Sequence, residues 1–386
     1  MYFEFATATR IIFGPDKYRE TGKLAKQMGN AALIVSGLDS DLTENLVDIL
    51  YSEGIESQIF QITHEPSISM IMEGIKKAEE SNYELIIGFG GGSAIDAGKA
   101  IAALCTNPGN PMDYLEIIGK GLPLRHPPLP FLAIPTTAGT GAEVTRNAVL
   151  SSPENGVKVS LRSSFMFPKL ALIDPKLTLS MPPSITASTG LDALTQCIEP
   201  FVTHFANPLT DGICRQGIIF AARSLQKAFE NGDNLAARID MSLASLFGGL
   251  ALANAKLGAV HGFAGPLGGM YPNIPHGVIC GRLLPFVMEI NVNALIAREP
   301  ENPALSRYDE LAKIITGNTD AKARDVLFWI HDLANQLGIP SLSEYGIVAK
   351  DYPEIIEKSK QASSMKGNPI SLTDIEYKFI LDQACN

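Results

Sequence analysis

A short apolar run, ELIIGF over residues 84–89, leads directly into Gly90-Gly91-Gly92-Ser93 and then into a small-residue helical pattern reaching about Leu104. A run this short and this continuously apolar reads as a strand buried on both faces. Glycines at its end let the backbone approach a ligand closely. The free N–H groups and positive dipole end of the following helix favour a pyrophosphate. The spacing is not GxGxxG, so the usual dinucleotide fingerprint is missing. Close strand–helix contact would also ask for glycine here. Asp96 falls one turn into the helix, placed to hold a neighbouring loop or to contact a ribose or nicotinamide group.

The surrounding segments repeat this alternation. Strands are predicted over 3–13, 31–36, 56–62, 84–89, 129–135, 158–163 and 170–174, with helices over 16–28, 43–53, 67–80 and 93–104. Such alternation predicts a doubly wound parallel sheet with helices on both faces. Past Met181-Pro182-Pro183 only helical patterns remain, over 184–202, 208–230, 233–257, 278–297, 305–316, 320–337, 350–362 and 371–383. The expected organisation is an α/β dinucleotide-binding domain over 1–182 and an all-helical domain over 183–386.

At 386 residues the chain exceeds one ordinary core, which agrees with two domains. Its 46% apolar and 19% charged residues describe a well-buried globular protein. A net charge of −10 without any basic block argues against nucleic acid or acidic membrane as partners. Five cysteines with no CxxC pair fit a reducing cytoplasm better than a disulfide framework. The N-terminus lacks a basic start followed by an apolar core, so no signal peptide is expected. The longest apolar runs look interrupted before they reach membrane-spanning length.

Three further motifs carry chemistry. Pro135-Thr136-Thr137-Ala138-Gly139-Thr140-Gly141 follows a strand and offers hydroxyls and backbone donors suited to sugar and phosphate oxygens, or simply turn caps. In Gly190-Leu191-Asp192-Ala193-Leu194-Thr195-Gln196, Asp192 and Gln196 share a helix face, and a carboxylate among apolar residues is costly unless paired or bound to a metal. The stretch 258–277 holds His261 and His276 across a Gly/Pro-rich bend. His261 is expected at the end of a buried helix and His276 after a tight loop. Asp192, His261 and His276 would give a mixed O/N site for a divalent metal, with Gln196 able to add a weaker amide oxygen. The two histidines equally suit a core position satisfied by backbone groups.

FGGGSAID at 89–96, PTTAGTGAEVT at 135–145, GLDALTQ at 190–196 and HGFAGPLGGMYPNIPHG at 261–277 together resemble the iron-containing (group III) alcohol dehydrogenase family, in family order and over nearly the whole chain. The resemblance implies a dehydroquinate synthase-like fold. It implies an NAD- or NADP-linked alcohol dehydrogenase or aldehyde reductase that acts on a small primary alcohol or aldehyde, as a homodimer or larger homo-oligomer. It places a divalent metal, Fe²⁺ first and Zn²⁺ second, on Asp192, His261 and His276, with Gln196 beside them. It assigns the phosphate loop to Gly90, Gly91, Gly92 and Ser93, the nicotinamide side to Asp96, and other cofactor-lining positions to Thr136, Thr137, Thr140, Asn147 and Lys158. Gly37, where NAD-selective members often carry an acid, leaves room for a 2′-phosphate, with Asp39 and Asp41 close by.

Three departures stand out. Gln196 replaces a metal histidine, Gly265 replaces a histidine near the nicotinamide, and the His261–His276 segment is one residue longer. Gln196 keeps open a metal-free carbonyl reductase of the maleylacetate reductase type. A dehydroquinate synthase-type lyase would want clustered Lys and Arg, and a non-catalytic dinucleotide binder would turn nothing over. Phe263, Leu267 and Met270 are read as lining a small substrate pocket. His64, His126, His204 and His331 are read as ordinary loop or helix-face residues.

Overall fold

A computed structural model describes residues 2–38 and 40–386. Asp39 therefore lies outside the described residues. The chain divides into two compact units. One, the sheet unit, comprises residues 6–137 and 141–179, and the other, the helical unit, comprises residues 1–5, 138–140 and 180–386.

The sheet unit contains strands β1 (Ile11–Phe13), β2 (Ala31–Ser36), β3 (Glu56–Gln61), β4 (Leu85–Gly90), β5 (Phe131–Pro135), β6 (Asn147–Ser152), β7 (Val157–Arg162) and β8 (Leu170–Ile173). Its helices are α1 (Thr21–Lys26), α2 (Asp41–Ser52), α3 (Ile68–Glu80) and α4 (Gly92–Cys105). Six strands form one parallel sheet in the order β1-β8-β5-β4-β2-β3. Alternate side chains separate onto the two faces, as the pleat requires. Leu33, Val35 and Ile86 join Ile71 of α3 and Ile95 and Ile101 of α4. Ala32, Ile34, Ile87 and Phe89 join Leu24 of α1 and Leu46 and Leu50 of α2. The chain runs outward from β2 to β3 and then returns to β4 on the other side of β2. The C-terminal ends of β2 and β4 thus form the topological switch point where open α/β sheets bind ligands.

The predicted strand over 3–13 shrinks to Ile11–Phe13. Over residues 3–10 only Ala8 is buried, and no strand there joins the sheet. The expected helix over 16–28 splits into a 3₁₀ turn, Lys17–Glu20, and α1. One strand was not anticipated. β6 pairs antiparallel with β7, Asn147 opposite Arg162, as a separate hairpin.

The helical unit contains α5 (Pro183–Val202), α6 (Pro208–Glu230), α7 (Leu235–Asn254), α8 (Ala259–Met270), α9 (His276–Arg298), α10 (Pro303–Thr316), α11 (Ala323–Gln336), α12 (Tyr352–Gln361) and α13 (Asp374–Ala384). α5 is buried along most of its length and packs against α6, α7 and α9. α8 overturns the expected Gly/Pro-rich bend. Val260, His261, Phe263, Ala264, Leu267 and Gly268 form a buried stripe at helical spacing, and burial outweighs the weak propensity of its glycines and Pro266. The apolar runs are also longer than expected. α7 and α9 are long and apolar enough to cross a membrane, yet 67% of each apolar window is buried inside the protein, as in core helices. α7 carries Arg238, 1% exposed, bonded to Thr186 Oγ1 and to the carbonyls of Met181 and Gly232.

Candidate metal centre and cofactor loop

In the sheet unit, Gly37, Gly90 and Gly91 meet at the switch point. Gly37 N–H donates to Phe89 O at 2.9 Å, and Thr136 N–H donates to Gly90 O at 2.9 Å. Gly90 has φ +145°, and a Cβ there would stand 3.0 Å from both Gly37 N and Ala94 Cβ. Glycine is therefore required for this close approach. Gly91 caps α4 without a side chain, and Gly92 and Ser93 open its first turn, all three half-buried. Ala94 and Ile95 N–H turn back to Gly91 O, whereas the N–H groups of Gly92 and Ser93 lie ahead of any intrahelical acceptor, the arrangement of a candidate anion site.

The remaining predicted cofactor residues fall into two groups. Thr136 and Thr137 adjoin the turn; Thr137 Cγ2 would lie 3.4 Å from a Cβ on Gly91. Thr140 belongs to the helical unit. Asp96, Asn147 and Lys158 are engaged by the protein itself. Asp96 pairs with buried Lys99 at 2.8 Å and accepts Val149 N–H at 2.9 Å. Lys99 Nζ also donates to Ala142 O, Thr145 Oγ1 and Asn147 O. Lys158 pairs with Glu65 at 2.6 Å. Of the two roles open to Asp96, the geometry displays the loop-holding one. Gly37 is exposed at the end of β2, and Asp41 opens α2.

In the helical unit, Asp192 of α5, His261 of α8, and His276 and Cys280 of α9 converge, their ligand atoms all within 4.8 Å of one another. Asp192 Oδ1 stands 3.3 Å from His261 Nε2 and 3.8 Å from His276 Nε2. Cys280 Sγ stands 3.5 Å from His276 Nε2 and 3.8 Å from His261 Nε2. Glycine sets this convergence. A Cβ on Gly277 would come 2.5 Å from Ser188 O, and one on Gly281 would come 2.8 Å from Leu191 Cδ1. The first turns of α9 thus lie directly on α5, which brings His276 and Cys280 over Asp192.

These residues fit a divalent cation. Asp192 is 2% exposed, yet its Oδ1 has no hydrogen bond of normal geometry. A buried acceptor without a donor is rare and asks for a partner such as an ion. Burial alone would raise the Asp192 carboxyl, but the neighbouring His276 and His261 outweigh it and hold it down at about 2, so it is an anion. Burial lowers His261, and its neighbours Cys280, Glu199 and Asp192 more than reverse that, so it is raised. Burial pushes the Cys280 thiol up to about 12 while His261 pulls it down. An anion, two imidazoles and a thiol facing one point form a mixed O/N/S donor set.

Cys280 and Glu199 are the site residues that the sequence reading missed. Glu199 accepts Val260 N–H at 2.7 Å and holds His261 Nδ1 at 2.7 Å, which aims Nε2 at the cluster. Signals for both existed. Asp192, Gln196 and Glu199 fall at i, i+4 and i+7 on a helix with no other charged residue, and His276 and Cys280 are i and i+4. Gln196 is 3% exposed; its side chain helps keep Asp192 ionised, and its Oε1, which lacks a hydrogen bond, lies beside Gly248 of α7. Phe263 and Leu267, read as lining a substrate pocket, present no solvent-open surface. Both are fully buried in the helical core, with Phe263 edge-on to Tyr377, and only Met270 is partly exposed. Gly265 is exposed, with open space where a Cβ would point.

Comparison with known proteins agrees with this picture. The profile "Iron-containing alcohol dehydrogenase" matches residues 8–175, and the profile "Fe-containing alcohol dehydrogenase family, C-terminal" matches residues 186–385. Alcohol dehydrogenase 4 of Saccharomyces cerevisiae is 34% identical over 379 residues, covering 97% of this chain and 96% of its own. The crystal structure of 1,3-propanediol oxidoreductase superposes with a TM-score of 0.91 at 34% identity, covering 100% of both chains. Sulfoacetaldehyde reductase from Bifidobacterium kashiwanohense in complex with NAD⁺ gives a TM-score of 0.88 at 29% identity, covering 100% of this chain and 99% of its own. With matches across both units and a donor cluster that suits a divalent metal, the chain belongs to the iron-containing alcohol dehydrogenase family.

Proposed function

We propose that this metal-dependent, NAD(P)-linked alcohol dehydrogenase interconverts a small primary alcohol and its aldehyde, with Asp192, His261 and His276 holding the metal. The observation that carries the reading is the buried Asp192 Oδ1, left without a donor between two imidazoles. When bound, a divalent metal held by these residues would supply a Lewis acid for negative charge on the substrate oxygen. The protein's part is to hold the donors in place. Glu199 fixes the tautomer and orientation of His261, and the contact of α9 on α5 fixes His276. His276, with 36% of its side chain exposed, is the ligand that faces solvent, and so marks the side from which substrate arrives.

In the sheet unit, Gly37, Gly90, Gly91, Gly92 and Ser93 receive the dinucleotide, the pyrophosphate resting on the first turn of α4. Thr136 and Thr137 complete that set. Asp96, Asn147 and Lys158 serve it through Lys99 and Glu65, by fixing β6 and β7. Gly37 carries no carboxylate against a 2′-phosphate, so NADPH is accepted at least as well as NADH. The enzyme works in the cytoplasm, in keeping with five unpaired cysteines, as a homodimer or larger homo-oligomer. Steady-state reduction of a series of short-chain aldehydes with each cofactor tests this. Turnover with kcat/KM for NADPH equal to or above that for NADH supports it; a much lower kcat/KM with NADPH removes the cofactor assignment, and no turnover on any aldehyde or alcohol removes the substrate class.

A further inference from the structure

We infer that Cys280 is itself a ligand of the metal, completing a four-donor set of one carboxylate oxygen, two imidazole nitrogens and one thiolate sulfur. The inference rests on the metal reading of Asp192, His261 and His276 and adds the residue that makes this site unlike an all-O/N one.

Geometry carries it. Metal bonds of about 2.0–2.3 Å arranged tetrahedrally put neighbouring donor atoms roughly 3.3–3.6 Å apart. Four edges of the cluster measure 3.3, 3.5, 3.8 and 3.8 Å. The Sγ edges, 3.5 and 3.8 Å, are as short as the carboxylate edges, 3.3 and 3.8 Å, and all six lie within 4.8 Å, so the sulfur stands at a corner of the cluster, which closes by a few tenths of an ångström or more to the tetrahedral spacing round an ion. The other buried cysteines behave differently. Cys197 Sγ lies near the carbonyl of Ala244, and Cys214 sits in the helical core; both act as small apolar side chains. Cys280 is as buried as they are but faces two Nε2 atoms and the donor-less oxygen of Asp192. Gln196, one turn beyond Asp192, offers only an amide oxygen, which lies beside Gly248. A thiolate is a far stronger donor than an amide for first-row metals. On binding, the thiol proton leaves to solvent and the sulfur lone pair forms the bond; no oxidant or reductant is involved. A soft donor favours Fe²⁺, Co²⁺ and Zn²⁺ over Mg²⁺ and Mn²⁺.

The test uses the full chain stripped of metal by a chelator and titrated with Co²⁺. A thiolate-to-cobalt charge-transfer band in the near ultraviolet, beside visible ligand-field bands, is expected in the wild type and absent in C280S. Zn²⁺ affinity of C280S should fall beyond the roughly 10–100-fold that loss of an outer partner costs, while NADPH affinity and the far-ultraviolet circular dichroism stay unchanged. If C280S does not fold, C280A and the wild-type spectrum decide the question. Ligand-field bands without the charge-transfer band, with unaltered Zn²⁺ affinity in the variant, overturn Cys280 as a ligand and leave the Asp/His/His site standing. Absence of any Co²⁺ or Zn²⁺ binding by the wild type overturns both.

Discussion

At the glycine turn of the sheet unit, Gly37, Gly90 and Gly91 come together through backbone atoms, and any side chain would obstruct them. At the cluster of the helical unit, Asp192, His261, His276 and Cys280 come together through side-chain atoms from three helices, and the backbone glycines only set the helix spacing. The first is built of backbone N–H groups and a helix end, the makings of an anion cradle. The second is a buried set of donors whose acceptor capacity exceeds the donors around it. A backbone site tolerates many neighbouring side chains but almost no added Cβ. A side-chain site tolerates none of its ligands being changed, yet depends on a further residue, Glu199, which is not one of the four but holds His261 through Nδ1.

Because the two sites are built from different atoms in different units, damage to one should leave the other's binding intact. His276→Ala should lower kcat by about 10³-fold, the scale of a lost Lewis-acid contribution of several kcal/mol. Its NADPH Kd, measured by fluorescence titration, should stay within about threefold of the wild type, a range worth under 1 kcal/mol. A parallel loss of cofactor affinity would break the separation. Gly90→Ala makes the reciprocal case. With φ +145° and Gly37 N only 3.0 Å away, a methyl group costs on the order of 1–3 kcal/mol, or roughly 10–100-fold in NADPH affinity. Bound metal, measured by elemental analysis, should be unchanged. Glu199→Gln should reduce metal affinity by roughly 10–100-fold with the fold retained, because the amide still accepts Val260 N–H but orients His261 less strongly.

What the chain revealed before its structure was known follows the same division. β2 and the strand–glycine–helix unit of β4 and α4 were legible because their signals are contiguous: an apolar run, then glycine, then a helical pattern. The convergence of Asp192, His261 and His276 was expected from their motifs. Cys280 and Glu199 were not, because their meaning depends on which faces of α5, α8 and α9 meet, and no single window of sequence carries that. α8 was misread for a related reason. Its glycines and Pro266 signal a bend locally, and only the core against which Phe263 and Leu267 lie makes it a helix. Lys99 was passed over too, since a lysine in an amphipathic pattern reads as solvated until the carbonyls of Ala142 and Asn147 surround it.

The smallest expected effect concerns the scaffold, away from both sites. Arg223 grips Asp240 with two bonds of 2.6 Å, but its side chain is 53% exposed, so the pair is worth about 1 kcal/mol or less. Burial would raise the Asp240 carboxyl, and Arg223 and Ser224 outweigh it and lower it. A depressed native pKa gives stability that is present above the unfolded carboxylate pKa and is lost as pH falls through the native one. Asp240→Asn should therefore lower the midpoint of urea unfolding slightly at neutral pH, and the gap should close in acid. Catalysis and cofactor affinity should not change; a change in either would mean that α7 transmits more to the cluster than the geometry suggests.

The most direct measurement is aldehyde-dependent NAD(P)H oxidation by the full-length enzyme after exhaustive chelation, followed by addition of Fe²⁺, Zn²⁺, Mn²⁺ or Mg²⁺ one at a time. The account predicts that activity is lost while NADPH still binds, and that Fe²⁺ or Zn²⁺, but not Mg²⁺, restores it. Undiminished turnover in the chelated enzyme would contradict it, and would leave Asp192, His261 and His276 as proton-handling or structural groups of a metal-free reductase.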